Sequence, residues 1–108
     1  MKYMLFVCVD PAAPRPAGDT GDIDEWLTSV KDVRLDGNEL MRPDQARSVR
    51  VREGDTLVTE GPFTETQEWI AGYDILDCDS IEEAIEFAAQ HPVTRGGGVI
   101  EVRPYPVD

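Results

Sequence analysis

The sequence predicts an α+β fold of the ferredoxin-like type, an antiparallel sheet with two helices on one face and an extra hairpin. Two amphipathic helical segments alternate with β-rich segments in the order strand, helix, two or three strands, helix, strand. Two alternating segments joined by a short turn predict the hairpin. The 108 residues show no internal repeat, which indicates one domain over residues 1–108.

The first strand is predicted at residues 2–9, because apolar side chains alternate between its two faces. One face carries Tyr3, Leu5, Val7 and Val9, and the other carries Met4, Phe6 and Cys8. A strand that is apolar on both faces is expected to be central in its sheet and covered on both sides. Residues 11–21, with three prolines and two glycines, are predicted to form a loop.

A first helix is predicted to begin near Asp22 and to stop at Gly37. Its apolar stripe has three- and four-residue spacing and consists of Ile23, Trp26, Leu27, Val30 and Val33. Leu40 and Met41 suit a short extended piece before Pro43.

A hairpin is predicted at residues 48–60, with Gly54-Asp55 as its two-residue turn. This turn would place Val51 opposite Val58 and Val49 opposite Glu60, so that the Glu60 carboxylate lies at the rim of the apolar face. A register slip of one residue would move every side chain to the other face.

The longest strand is predicted at residues 68–77, again with two apolar faces. Trp69, Ala71, Tyr73 and Ile75 are expected on one face, and Ile70, Gly72 and Leu76 on the other. Ser80 and Glu83 form a capping box that begins the second helix, which ends at His91-Pro92. A last strand covers residues 99–103.

Two helices cover only one face of such a sheet, although two strands are apolar on both. Packing the second face against an identical sheet would cover it, which predicts a homodimer with an enclosed space for a small-molecule ligand.

The charge balance argues against two classes of partner. A formal net charge of -12, with only ten Lys and Arg residues, disfavours nucleic acid and anionic membrane surfaces. The short apolar start lacks a signal-peptide cleavage pattern, and no segment reaches membrane-spanning length. We therefore expect a cytoplasmic protein in which Cys8 and Cys78 are reduced thiols.

Three residues are candidate catalytic acids or bases: Asp10, Glu60 and His91. His91 is the only histidine, and the predicted helix C-terminus would favour its protonated form. The alternative for His91 is a helix cap before a proline. Asp10 follows the first strand, and its alternative is an Asx turn ahead of Pro11.

Glu60 belongs to a loop that also contains Glu65 and Glu68. For Glu65 and Glu68, a solvated acidic loop is at least as good an interpretation as a catalytic base. Glu101 and Arg103 share one face of the last strand and suit a structural ion pair. No metal site or cofactor is predicted, because one histidine and two distant cysteines form no ligand set and Gly96-Gly97-Gly98 precedes a strand rather than a helix.

The segment Thr59-Glu60-Gly61-Pro62-Phe63, the pair Gly72-Tyr73 and the segment Ile100-Glu101-Val102-Arg103-Pro104 resemble the YCII-related family in its DGPF-domain branch. The resemblance covers nearly the whole chain. It implies a dimeric α-β barrel built from ferredoxin-like subunits, found widely in bacteria. It also implies that some members are encoded beside, or fused to, sigma factors of the extracytoplasmic-function type.

Three features depart from the family pattern. Glu60 stands where the family has aspartate, Gln67 stands where lysine is usual, and the segment from Arg34 to Ala46 is short. Two hypotheses follow. One is a dimer that binds a small molecule and uses Asp10, Glu60 or His91 for acid/base catalysis. The alternative is a non-catalytic ligand-sensing or interaction module that works with a sigma factor.

Overall fold

The computed structural model describes residues 1–14, 18, 20–61 and 68–107. Its elements in chain order are β1 (Lys2–Val9), α1 (Ile23–Ser29), β2 (Arg34–Glu39), a 3-10 turn (Pro43–Gln45), β3 (Arg47–Arg52), β4 (Asp55–Glu60), β5 (Trp69–Asp77), α2 (Ile81–Ala89), α3 (Pro92–Arg95) and β6 (Val99–Pro104). The Pro62-Phe63 part of the predicted turn signature, and Glu65 and Gln67, lie outside the described residues.

Four strands form one antiparallel sheet in the order β2-β5-β1-β6. Without the hairpin, the chain order of these strands is β1, β2, β5, β6, and their spatial order is that of a ferredoxin-like sheet. The predicted fold class is therefore confirmed, and so is the central position of the first strand. Strands β3 and β4 form a separate two-stranded sheet. In the sequence they lie between β2 and β5, the second and third strands of the main sheet.

The core lies between one face of the main sheet and the helices, and we call this the helix face. The buried cluster consists of Tyr3, Leu5, Trp26, Val30, Leu76, Cys78, Ala84 and Ala88. Cys8 and Cys78 are both free thiols, as predicted. None of the helices in the described part of the chain is long and apolar enough to cross a membrane.

The first helix is shorter than predicted. The Asp22 side chain caps it by accepting a hydrogen bond from the Asp24 N–H at 2.9 Å, which confirms the predicted start. It ends at Ser29, with Val30 as its C-cap. The predicted stop at Gly37 is wrong, because this glycine lies inside β2 and pairs with Asp74 of β5.

The second helix has the predicted cap, because the Ser80 hydroxyl accepts a hydrogen bond from the Glu83 N–H at 3.2 Å. The helix ends at Ala89, however, and a short third helix begins at Pro92. Proline is well suited to a first helical position, where no N–H partner is needed. Pro92 therefore begins a helix instead of only stopping one.

A bulge in β5 corrects the predicted faces of this strand. Val7 pairs with Gly72 but Cys8 pairs with Ile70, so Ala71 is the extra residue. The side chains beyond the bulge change faces relative to a regular strand. Ile70 thus shares a face with Tyr73, and Trp69 lies on the opposite face beside its partner Val9.

The hairpin is present, but its predicted register is wrong. Glu53 and Gly54 are the turn residues, with φ of 53° and 83°, as in the left-handed turns that join two-residue hairpins. Val49 consequently pairs with Val58, and Arg47 pairs with Glu60. The displacement of two residues in the pairing keeps the alternation of faces, so Val49 and Val58 still lie on one side.

Candidate functional site

A cavity of about 550 Å³ lies between the helix face of the sheet, helix α1 and the start of α3. We call it the helix-face cavity. Its apolar lining includes Val7, Ile23, Trp26 and Leu27. The lining also contains the charged residues Arg34, Glu39 and Asp74, together with His91. An apolar cavity with a few convergent polar groups is the usual form of a small-molecule site.

Asp74 is a carboxylate in the interior of a central strand. It is only 6% exposed, and the Arg34 Nε–H donates a hydrogen bond to its Oδ1 at 2.8 Å. Burial raises the pKa of Asp74, although the hydrogen bond and the positive charge of Arg34 act in the opposite direction. The pair therefore supplies a carboxylate that accepts a proton more readily than an exposed aspartate.

Strand β2 positions Arg34 by means of a second bulge. Arg34 pairs with Leu76 whereas Asp36 pairs with Ile75, which leaves Leu35 as the extra residue and directs Arg34 to the helix face. Gly37 lies directly opposite Asp74. A Cβ atom on Gly37 would collide with Asp74 Oδ1 and Arg34 Nη2, so the absence of a side chain makes room for the ion pair.

His91 lies between α2 and α3 and is 5% exposed. Its Nδ1 accepts a hydrogen bond from the Val93 N–H at 3.0 Å, and its ring contacts that of Trp26 edge-on with centroids 4.5 Å apart. Burial lowers the pKa of His91 to about 4. The imidazole is therefore neutral near pH 7, with its proton on Nε2.

This placement corrects the prediction that a helix C-terminus favours protonated His91. The residue is the N-cap of α3 rather than part of the last turn of α2. A capping Nδ1 must carry a free electron pair, and the surrounding apolar side chains exclude the water that would stabilise an imidazolium. Both effects favour the neutral ring.

Three polar groups retain hydrogen-bonding capacity towards the cavity. Within the described chain, no hydrogen-bond partner is found for His91 Nε2, Asp74 Oδ2 or the terminal nitrogens of Arg34. Every fully buried side-chain nitrogen or oxygen in the described residues does have a partner, so these atoms are not fully buried. These atoms are consequently accessible rather than sealed, and the cavity is the space that all three residues line.

Asp10 lies in a neighbouring cavity of about 720 Å³, which Arg42 and Trp69 also line. Its Oδ1 accepts a hydrogen bond from the Ala12 N–H at 2.9 Å, as in the Asx turn that was the alternative interpretation. Val9, Pro92 and Val93 line both cavities and separate Asp10 from the helix-face cavity.

Glu60 lies on the hairpin, is exposed, and pairs with Arg47 at the open end of the two strands. It lines neither of the two cavities. The inward position inferred from the predicted register is therefore wrong. Asp10, Glu60 and His91 lie in three separate places, and a catalytic role for each stays a prediction.

Sequence reasoning missed Arg34 and Asp74. A detectable signal was present, since Asp74 interrupts an otherwise apolar strand on the same face as Gly72 and Leu76. Buried aspartate is rare unless it is paired or functional. Arg34 had no comparable signal, because its position depends on the bulge at Leu35.

No group of three or more His, Cys, Asp or Glu side chains within residues 1–14, 18, 20–61 and 68–107 is arranged to hold a metal ion. In the helix-face cavity the cation next to Asp74 is the guanidinium of Arg34. The arrangement there is suited to hydrogen bonding and proton transfer with an organic ligand.

A family model matches nearly the full length of the chain. The model of the YCII-related domain matches residues 1–106. An uncharacterized protein of Rhizobium meliloti (strain 1021) is 41% identical over 63 residues, which cover 55% of this chain and 48% of that relative. The aligned region thus spans about half of the relative's length, and the narrower DGPF branch stays a prediction.

Proposed function

The chain belongs to the YCII-related domain family, and we propose that it binds a small molecule in the helix-face cavity and catalyses proton transfer there. Asp74 is the base, and His91 and Arg34 donate hydrogen bonds to the reacting ligand. The observation that carries this proposal is the buried carboxylate of Asp74, which shares one cavity with the neutral imidazole of His91.

The chemistry follows from the free atoms of these groups. Asp74 Oδ2 removes a proton from a ligand carbon next to a carbonyl group, and the C–H electron pair becomes the C=C bond of an enol or enolate. The carbonyl oxygen, which gains negative charge, accepts hydrogen bonds from His91 Nε2–H and Arg34. The protonated Asp74 then returns the proton to the same carbon, or to the far end of a conjugated C=C bond where the ligand has one, so the reaction needs no redox partner.

The raised pKa of Asp74 supports the role of a base, because a carboxylate with a very low pKa removes protons poorly. His91 is suited to be a neutral donor, since its lowered pKa keeps one proton on Nε2 across the physiological range. Apolar walls strengthen both interactions by excluding water.

Solvent deuterium incorporation tests the proposal. Small planar oxo compounds are incubated with the protein in D₂O, and loss of the proton next to the carbonyl is followed by NMR. We expect an exchange rate that falls by about 10²–10⁴-fold in Asp74→Asn. Glu101→Gln, which removes an exposed carboxylate outside the cavity, is the matched control and should exchange at the wild-type rate. Equal rates for wild type and Asp74→Asn would contradict the proposal.

We also propose that the protein is a homodimer. The face of the sheet opposite the helices, which we call the open face, has an apolar centre whose side chains are not fully buried. Partly exposed side chains there include Met4, Phe6, Cys8, Ile70, Tyr73 and Ile75. A contiguous apolar surface of this kind is typical of an interface.

Light scattering after size exclusion measures the assembly directly. A dimer mass at micromolar concentration is the expected result, and Phe6→Lys should shift the protein towards monomer by placing a charge in the centre of the open face. Lys2→Glu, at the edge of the same strand, controls for a general effect of charge. A monomer mass for the wild type would refute the dimer.

A further inference from the structure

Apart from the exposed Glu39, the charges in the helix-face cavity already balance in the absence of a ligand. Arg34 and Asp74 are in contact with each other, and His91 is neutral near pH 7. Glu39, which also lines the cavity, is exposed to solvent. Apart from the exposed Glu39 carboxylate, no unpaired charge among the described lining residues would meet a charged ligand in this largely apolar space, which is unfavourable.

The free atoms define the hydrogen bonds that a ligand must complete. Asp74 Oδ2 accepts, whereas His91 Nε2–H and the remaining Arg34 N–H groups donate. A ligand that satisfies both sides needs a donor next to an acceptor in one polar group. Carboxamides, lactams and enols have this arrangement, while a carboxylate lacks the donor and an ammonium group lacks the acceptor.

Two positions on the sheet side of the cavity carry no side chain. Gly37 and Gly72 line it from adjacent strands, and both are on the helix face because they pair with Asp74 and Val7 respectively. A Cβ atom on Gly72 would come within 2.8 Å of the Asn38 carbonyl oxygen. The opposite side is formed by Ile23, Trp26 and Leu27 of α1. The cavity thus lies between a sheet face on which two positions have no side chain and the apolar side chains of α1.

From these three features we infer that the helix-face cavity binds a neutral, planar small molecule whose polar group places a hydrogen-bond donor next to an acceptor, of the carboxamide, lactam or enol class. This inference rests on the site of the proposed function but does not depend on proton transfer. A volume of about 550 Å³ fits a molecule of one or two rings.

A set of four probes of similar size separates charge from shape: benzamide, benzoate, benzylamine and cyclohexanecarboxamide. Binding to the full chain is measured by ¹H-¹⁵N NMR titration, following the amides of Gly72 and Asp74 and the indole N–H of Trp26. We expect benzamide to bind at least about tenfold more tightly than either charged probe and more tightly than the puckered amide. Tighter binding of benzoate, or equal affinities for all four, would overturn the inference, as would no shift at these signals at about 10 mM benzamide.

A single substitution tests the role of the Arg34–Asp74 ion pair. Asp74→Asn removes the negative charge but keeps the shape, so Arg34 becomes an unpaired cation and benzoate should gain at least about tenfold in affinity relative to benzamide. The control is Glu101→Gln, which makes the same change on the open face and should leave the order of the probes unaltered. An unchanged order in folded Asp74→Asn would overturn the role given to the ion pair, and if this variant does not fold, the wild-type titration still decides.

The two proposals fail in different ways. If benzamide binds as expected but no deuterium exchange occurs with any oxo compound, proton transfer is refuted and the ligand class stands. If exchange depends on Asp74 but benzoate is the preferred probe, the ligand class is refuted and the proton transfer stands.

Discussion

Adjacent residues of β5 lie in two different environments. Leu76 points to the helix face and is 0% exposed, whereas Ile75 points to the open face and is partly exposed. The same strand thus supplies a sealed core on one side and an uncovered apolar surface on the other. Among the described residues, the buried core therefore lies on the helix face only.

Alanine substitutions at these two positions give the largest expected effect. Leu76→Ala leaves a cavity in the core and should lower the free energy of unfolding by about 2–5 kcal/mol. Ile75→Ala should cost about 1 kcal/mol in a monomer, because the side chain is already partly in water. Urea denaturation measures both values.

Protein concentration sharpens this test. If the open face is a dimer interface, the cost of Ile75→Ala should grow with protein concentration, because the dimer is stabilised by mass action. The cost of Leu76→Ala should not. Equal costs at every concentration would mean that the two faces are equally buried in solution, which contradicts the comparison.

The pH dependence of stability tests how strongly the helix face excludes charge. The pKa of His91 is about 4 in the folded chain and 6.5 in its usual environment, so the unfolded chain binds the proton first. The contribution of the neutral His91 ring to the free energy of unfolding is therefore fully present above about pH 6.5 and is lost as the pH falls to 4. Its upper bound is about 3 kcal/mol.

The comparison variant is His91→Gln, whose amide oxygen can still accept the hydrogen bond from Val93 N–H. Its stability should fall less steeply than that of the wild type between pH 6.5 and 4 in urea titrations. Asp74 acts with the opposite sign, since its pKa is raised and it favours folding at lower pH. Parallel pH profiles for wild type and His91→Gln would show that the ring is not desolvated.

The fold was predictable because its signals are local. The alternation at residues 2–9 and the Ser80 cap depend only on neighbouring residues, and both are confirmed. β2 was missed as a strand because its sequence, Arg34–Glu39, is almost entirely polar. It is a strand because it pairs with the edge of β5, and this pairing has no local signature.

The candidate site was less predictable than the fold because two bulges determine it. The bulge at Leu35 brings Arg34 to Asp74, and the one at Ala71 moves Trp69 to the face opposite that of Tyr73. A period-two pattern assumes a regular strand, so each bulge reverses the expected face of the residues beyond it. His91 stood out in the sequence because it is the only histidine, but its charge state depends on its burial in the folded chain.

The two arginine–carboxylate pairs compare the faces most directly, and the exposed pair gives the smallest expected effect. Arg34 and Asp74 are 28% and 8% exposed in their side chains, while Arg103 and Glu101 on the open face are 65% and 50% exposed. Arg34→Met leaves a buried carboxylate unpaired and should cost about 2 kcal/mol at pH 7, less than for a fully buried pair because the guanidinium is partly in water.

Arg103→Met removes a pair that water already screens, so it should cost less than about 0.5 kcal/mol in the monomer. Because the Arg103 guanidinium also lies over the Phe6 ring, with 5.1 Å between its central carbon and the ring centroid, the substitution keeps an apolar side chain at this position. Urea denaturation at 0.1 M and 1 M NaCl separates the two cases, since screening weakens an exposed pair much more than a buried one. A cost for Arg103→Met as large as that for Arg34→Met would mean that water is excluded from the open face as well, as it would be if a second copy of the chain covered it.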